Sequence, residues 1–185
     1  MLKGLLSYVD DLNKQDKNGQ TAAHICAKHG ELECLKILAA NSANLTLSDK
    51  NGMQLSHLAA KNNHTNIIEF LFNMGLSLKV ASEEGKLPLH YAAQYGSFEC
   101  LKILTEYYVD ISQVDNDGNC AAHLASMYDH IKCLKYLKKI GTPINASLNR
   151  KGRAIAHVAA LHNSIKSLHW LLENGADREL RDCKT

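Results

Sequence analysis

Apolar positions return along this chain in a fixed phase. Leu35 and Leu38, Ile68 and Leu71, Leu101 and Leu104, Leu134 and Leu137, and Leu168 and Leu171 form five pairs at i, i+3 spacing, the signature of a helix with one apolar face. Eleven residues before the first member of each pair stands a histidine: His24, His57, His90, His123 and His157, at spacings of 33, 33, 33 and 34. Five residues before each histidine stands a glycine, at Gly19, Gly52, Gly85, Gly118 and Gly152. The stretches around the histidines, "TAAHICAKHG", "QLSHLAAKNN", "LPLHYAAQYG", "CAAHLASMYD" and "AIAHVAALHN", are small and apolar, which predicts a tightly packed first helix ahead of the second. Between the two, Gly30, Asn63, Gly96, Asp129 and Asn163 are the residue types that best tolerate a left-handed backbone. Three landmarks kept in phase five times specify a repeat architecture before any single residue is interpreted.

Each unit reads as two short helices and a turn, closed by a second turn carrying Gly75, Gly141 or Gly175 and by hairpin tips such as "DKNG" and "DNDG". On these residues the segments resemble ankyrin repeats, whose pattern runs Asp-x-x-Gly-x-Thr-Pro-Leu-His-x-Ala-Ala. The resemblance implies an all-α solenoid of stacked helix-turn-helix units joined by β-hairpin-like loops. The units expected are 16–48, 49–81, 82–114, 115–148 and 149–181, with the extra residue in the "TPINASLNRKG" hairpin. Leu5 and Leu6 fall in register with a second helix, so 1–15 reads as half a repeat, and Asp182 opens a further hairpin or tail over 182–185. With no polar cap apparent there, the array is expected to belong to a longer chain. Only Thr21 keeps the family's threonine, only Pro88 keeps its proline, and Ser82 and Asn149 replace its hairpin aspartate, which predicts a less stable array.

Composition narrows the function. Twenty-one Lys and Arg against nineteen Asp and Glu leave a net charge of +2, without the basic excess of a nucleic-acid binder. No apolar run approaches the roughly 18 residues of a membrane span. The opening "MLKGLLSYVDD" lacks the cleavage site of a signal peptide. Six cysteines without a CxxC pair suggest free thiols in a reducing, cytoplasmic setting. Cys34, Cys100 and Cys133 share one position with Ile67 and Ser167, so that slot is read as buried or half-buried and apolar. Disulfides between stacked copies such as Cys100 and Cys133 are not expected, because packed helices lie about 8–10 Å apart.

The histidines have the look of chemistry, with His90 beside Tyr91 and Pro88 close by. A residue required once per unit serves the unit, however, and the five histidines are read as structural. The resemblance implies the same role, bonding the turns that join repeats. No phosphate-binding loop, GxSxG, HExxH or dinucleotide fingerprint is present, so no enzyme, cofactor or metal site is expected.

What remains variable points to a protein or peptide partner. The resemblance implies that the hairpin tips and the ends of the first helices line a concave groove. There the rungs run Lys28 and His29, Lys61 and Asn62, Gln94 and Tyr95, Met127 and Tyr128, Leu161 and His162. The last three place Tyr95, Met127, Tyr128 and Leu161 together, the composition of an interface core. The tips read basic at Lys17 and Lys50, acidic at Glu83, Glu84, Asp115 and Asp117, and basic again at Arg150, Lys151 and Arg153. The expected binding set is Tyr95, Met127, Tyr128, Leu161, His162, Arg150, Lys151 and Arg153, on a monomeric array. Asn145, eight residues after Leu137, resembles the sites that asparaginyl hydroxylases modify in some ankyrin proteins; an ordinary turn asparagine is the plainer alternative. Two other roles stay open: a targeting arm of a ubiquitin ligase receptor, kinase or channel, and a cytoskeletal adaptor. The second follows from "ECLKIL", "KCLKYL" and "LPLHYAA", which resemble espin-type actin-associated arrays.

Overall fold

A computed structural model describes residues 11–107, 110–177 and 179. Leu5, Leu6 and the hairpin expected from Asp182 lie outside them. Ten helices occur among the described residues, in five pairs. They are α1 (Ala22–His29) and α2 (Leu32–Ala40), α3 (Leu55–Lys61) and α4 (Thr65–Asn73), α5 (Pro88–Tyr95) and α6 (Phe98–Glu106), α7 (Ala121–Met127) and α8 (Ile131–Lys139), α9 (Ile155–Leu161) and α10 (Ile165–Glu173). No strand forms among the described residues, where the hairpins contribute isolated antiparallel bridges from Val114 to Cys120 and from Leu148 to Ala154.

Every first helix starts in the same way. Thr21, Gln54, Leu87, Cys120 and Ala154 are extended, and each backbone N–H donates to Nδ1 of the histidine three residues on, at 3.2, 2.9, 3.0, 3.3 and 3.1 Å. This satisfies a donor that the first turn of a helix leaves unpaired. Because the donor is backbone, loss of the family's threonine in four repeats leaves that bond intact. Thr21 adds its hydroxyl to His24 at 2.9 Å, and Cys120 adds a sulfur contact to His123 at 3.1 Å, so a side-chain contact survives in two repeats rather than one. The first helices end where Gly30, Asn63, Gly96, Asp129 and Asn163 take φ of 76°, 59°, 70°, 59° and 55°. That left-handed residue reverses the chain into the second helix.

The two helix layers pack differently. First helices meet through alanines: Ala59, Ala92, Ala125 and Ala159 are wholly buried, and short side chains let the backbones approach closely. Second helices carry the branched pairs, and Leu35, Ile68, Leu101, Leu104, Leu134, Leu137 and Leu171 are 0–1% exposed. Each such leucine contributes about 2 kcal/mol by leaving water. Contacts between successive first helices are more extensive than those between second helices, as their short alanine side chains allow. The shared cysteine slot is closed at Ile67, Cys100, Cys133 and Ser167 and half open at Cys34.

Within the hairpins, the aspartate accepts two backbone N–H bonds: Asp49 Oδ1 from Asn51 and Met53, Asp115 Oδ1 from Asp117 and Asn119. Asn149 Oδ1 does the same work for Lys151 and Arg153, at 3.0 and 3.1 Å. Ser82, too short for it, accepts the Tyr91 hydroxyl instead at 3.2 Å. Asp115 is therefore buried inside its turn, and the expectation that it adds to a solvated acidic tip is corrected: its charge is spent on backbone donors.

Candidate protein-binding surface

Successive hairpins are zipped together by one backbone bond each. The N–H groups of Lys50, Glu83, Asn116 and Arg150 donate to the carbonyls of Asn18, Asn51, Glu84 and Asp117, all at 3.0 Å. The glycine at each tip allows this approach. A Cβ on Gly118, at φ +79°, would stand 2.5 Å from the backbone nitrogen of Arg150.

Histidines brace the same joints. With Nδ1 accepting a backbone N–H, Nε2 carries the proton and donates into the following loop. His24 reaches the Met53 carbonyl at 3.3 Å, His57 reaches Val80 and Lys86 at 3.0 and 3.1 Å, His90 reaches Gln113 at 2.9 Å, and His123 reaches Arg153 at 3.1 Å. Burial lowers the pKa of all four, that of His57 to about 4, although the carbonyls at Nε2 favour the charged form. Both nitrogens of these rings are occupied, and none is left to take a proton from a substrate. Among the described residues no three His, Cys, Asp or Glu side chains gather as a metal site.

The ladder along the first-helix ends faces solvent. Tyr95, Tyr128 and Leu161 are 46%, 48% and 59% exposed, and His162 is exposed too. Met127 is half-buried, tucked against the core, so it offers an edge of its side chain only. The tyrosines are held in place. Lys61 Nζ sits 4.6 Å from the centre of the Tyr95 ring, a cation–π contact. Gln94 Nε2 donates to the Tyr128 hydroxyl at 3.3 Å, while Gln94 Oε1 accepts from Lys86 at 2.9 Å and Lys86 pairs with Glu84 at 2.7 Å. This chain of side chains was not singled out from the sequence; its signal is that Gln94 and Lys61 are themselves rungs of the ladder.

At repeats 4 and 5 the tips and the ladder converge on an open notch of about 230 Å³. Met127, Val158 and Leu161 line it with apolar surface, and Lys151, Arg153 and His162 with basic groups. Asp117, Asn119 and Asn149 add acceptors, with Asn149 Nδ2 donating to Asn119 at 2.9 Å. Five residues of the expected binding set thus share one notch. Arg150 does not line it: its backbone closes the zipper to Asp117 and its side chain is exposed. Tyr128 shares the rung of Met127, and Tyr95 stands on the rung before it. Asn145 is exposed, and both ends of its amide are engaged, Nδ2 donating to Gly175 at 2.9 Å and Oδ1 accepting from Asp177 at 3.0 Å.

A stack of capped helix pairs, with a variable ladder exposed along the ends of its first helices, defines a repeat scaffold of the solenoid class. A family model of ankyrin repeats, in three copies, matches residues 1–82, 43–115 and 89–182. The chain belongs to the ankyrin repeat family, whose members are generally protein–protein interaction modules without catalytic chemistry. No curated protein matches the chain. No helix among the described residues is long and apolar enough to cross a membrane.

Proposed function

We propose that this chain is a non-enzymatic scaffold that holds an extended peptide or protein segment along the concave ladder of repeats 3 to 5. The notch carries this reading: Met127 and Leu161 offer an apolar seat directly beside Lys151, Arg153 and His162. A ligand that fits it places an apolar side chain next to Asp or Glu, and Tyr95 and Tyr128 extend the contact with preset rings. Arg150, exposed at the neighbouring tip, adds long-range attraction for the same acids. A cytoplasmic location belongs to this reading and rests on six cysteines without a CxxC pair. Asn145 is assigned a structural part in it, because a hydroxylase would have to break two side-chain hydrogen bonds to reach it.

Selection from a random peptide display library tests the assignment. The expected winners carry an acid beside a large apolar residue, and Lys151→Glu with Arg153→Glu loses them. Unchanged binding of the same peptides by that folded double variant would overturn the site.

A further inference from the structure

The small net charge of the chain hides an uneven distribution over the second helices. α8 carries Lys132, Lys135, Lys138 and Lys139 among its nine residues and no acid. Equivalent positions show how far it departs from the helices before it. The place of Lys132 holds Glu33, Asn66 and Glu99 in α2, α4 and α6, and the place of Lys139 holds Ala40, Asn73 and Glu106. In α10 the same place as Lys132 is again basic, at Lys166.

Spacing gathers these charges on one surface. Lys132, Lys135 and Lys139 recur at i, i+3 and i+7, which is one face of a helix, and all three are exposed, as Lys166 is. α8 packs against α6 on one side and α10 on the other, with Lys135 in register with Lys102 and His169. Acids of the flanking helices are engaged within their own helices: Glu106 pairs with Lys102 at 4.0 Å and Glu173 with His169 at 3.1 Å. Glu99, in register with Lys132, bounds the patch on the α6 side. Lys138 is committed to the next repeat, its Nζ donating to the Asn174 carbonyl at 3.0 Å and lying 5.5 Å from the centre of the Trp170 ring. No ion pair among the described residues holds Lys132, Lys135, Lys139 or Lys166.

We propose that this face of repeats 4 and 5 rests on an anionic membrane surface, holding the scaffold peripherally while the ladder on the first helices stays free for its ligand. The residue types favour lipid over a folded acidic partner. Fixed carboxylates are best matched by the planar fork of arginine, and no arginine stands on α8 or α10. Lysine is a hydrated point charge on a flexible stem, which follows mobile headgroups without preset geometry. Ile165, 68% exposed at the start of α10 beside Lys166, supplies an apolar side chain for the headgroup layer. Each lysine near such a surface multiplies binding about fivefold. The attraction fades within a Debye length of about 8 Å, so the contact is reversible and sensitive to salt.

Sedimentation of the full chain with lipid vesicles tests this. The chain is expected to bind vesicles of phosphatidylcholine enriched in phosphatidylserine, and to release them at about 1 M salt, where the screening length is about 3 Å. Lys132→Glu with Lys135→Glu should lower the partition coefficient at least about 25-fold, the product for two lysines. Lys36→Glu with Lys50→Glu makes the same change in net charge at exposed sites in the first two repeats and should leave binding nearly unchanged. Circular dichroism of both double variants checks that the fold is kept. Failure to sediment with the anionic vesicles, equal binding to phosphatidylcholine alone, or an equal effect of the two double variants would overturn the proposal. Capture of polyglutamate through Lys132 and Lys135 without vesicle binding would overturn it too, and would assign the face to an acidic protein segment.

Discussion

The imidazole of His64 fills the space in which a side chain on Gly30 would begin. A Cβ on Gly30 would lie 2.5 Å from His64 Nδ1, and His64 Nε2 reaches past it to the Lys28 carbonyl at 3.0 Å. Gly96 and His130 repeat the arrangement, with His130 bonded to the Gln94 carbonyl at 3.0 Å. The alternate joints are built differently. Where the turn residue is Asn63 or Asp129, the next unit brings the smaller Ser97 or Ser164, which donate to the Lys61 and Met127 carbonyls at 3.1 and 2.7 Å. The turn side chain then accepts the N–H of Cys100 or Ser167, at 3.1 and 2.7 Å. Two kinds of joint therefore alternate along the stack.

These joints should be exchangeable as pairs and not singly. Gly96→Asn alone forces a side chain into His130 and is expected to cost about 2 kcal/mol, in the range of an overpacked site. Adding His130→Ser installs the other joint, and the double variant should recover at least about 1 kcal/mol relative to the sum of the singles. Urea unfolding of the four proteins measures the coupling; strict additivity would contradict the two-joint account.

Acid should begin to destabilise the array at a pH above that at which carboxylates titrate. Burial depresses His24, His57, His90 and His123 below their ordinary 6.5, His57 to about 4. The unfolded chain thus binds more protons than the folded one across this interval, so stability is full above pH 6.5 and falls as pH drops toward 4. His57 alone corresponds to a loss on the order of 3 kcal/mol. Denaturant midpoints measured from pH 7.5 to 4.5 check the slope, and His57→Gln should flatten part of it.

Ser167 is the weak member of the shared slot. Its hydroxyl is buried without a hydrogen-bond partner, where the equivalent positions hold Ile67, Cys100 and Cys133. Ser167→Cys is expected to stabilise by about 1 kcal/mol, the desolvation cost of an unpaired hydroxyl, read as a rise in thermal midpoint.

Tyr128 should be an energetic anchor of the proposed groove. Truncation to alanine removes a half-exposed ring already oriented by Gln94, and is expected to weaken peptide binding by at least about 1–2 kcal/mol in titration calorimetry.

Helix count and turn positions were readable because they depend on residue type at a fixed phase: Asn63 and Asp129 sit where a left-handed residue is required, and they adopt it. The histidine positions were readable through their period alone. Pairing across joints was not, since nothing along the chain says that Gly30 faces His64, thirty-four residues on. Nor did charge type reveal location: Asp115 and Asp117 read alike, yet one is buried as a turn acceptor and the other lines the notch. Met127 similarly looks as free as Leu161 in sequence, while packing withdraws half of it.

Hydrogen exchange of the full chain, with and without its tightest selected peptide, tests the central claim most directly. Protection is expected at the ends of α5, α7 and α9 and across the 149–153 hairpin. Protection confined to the outer helices α6, α8 and α10, with those segments unchanged, would contradict it.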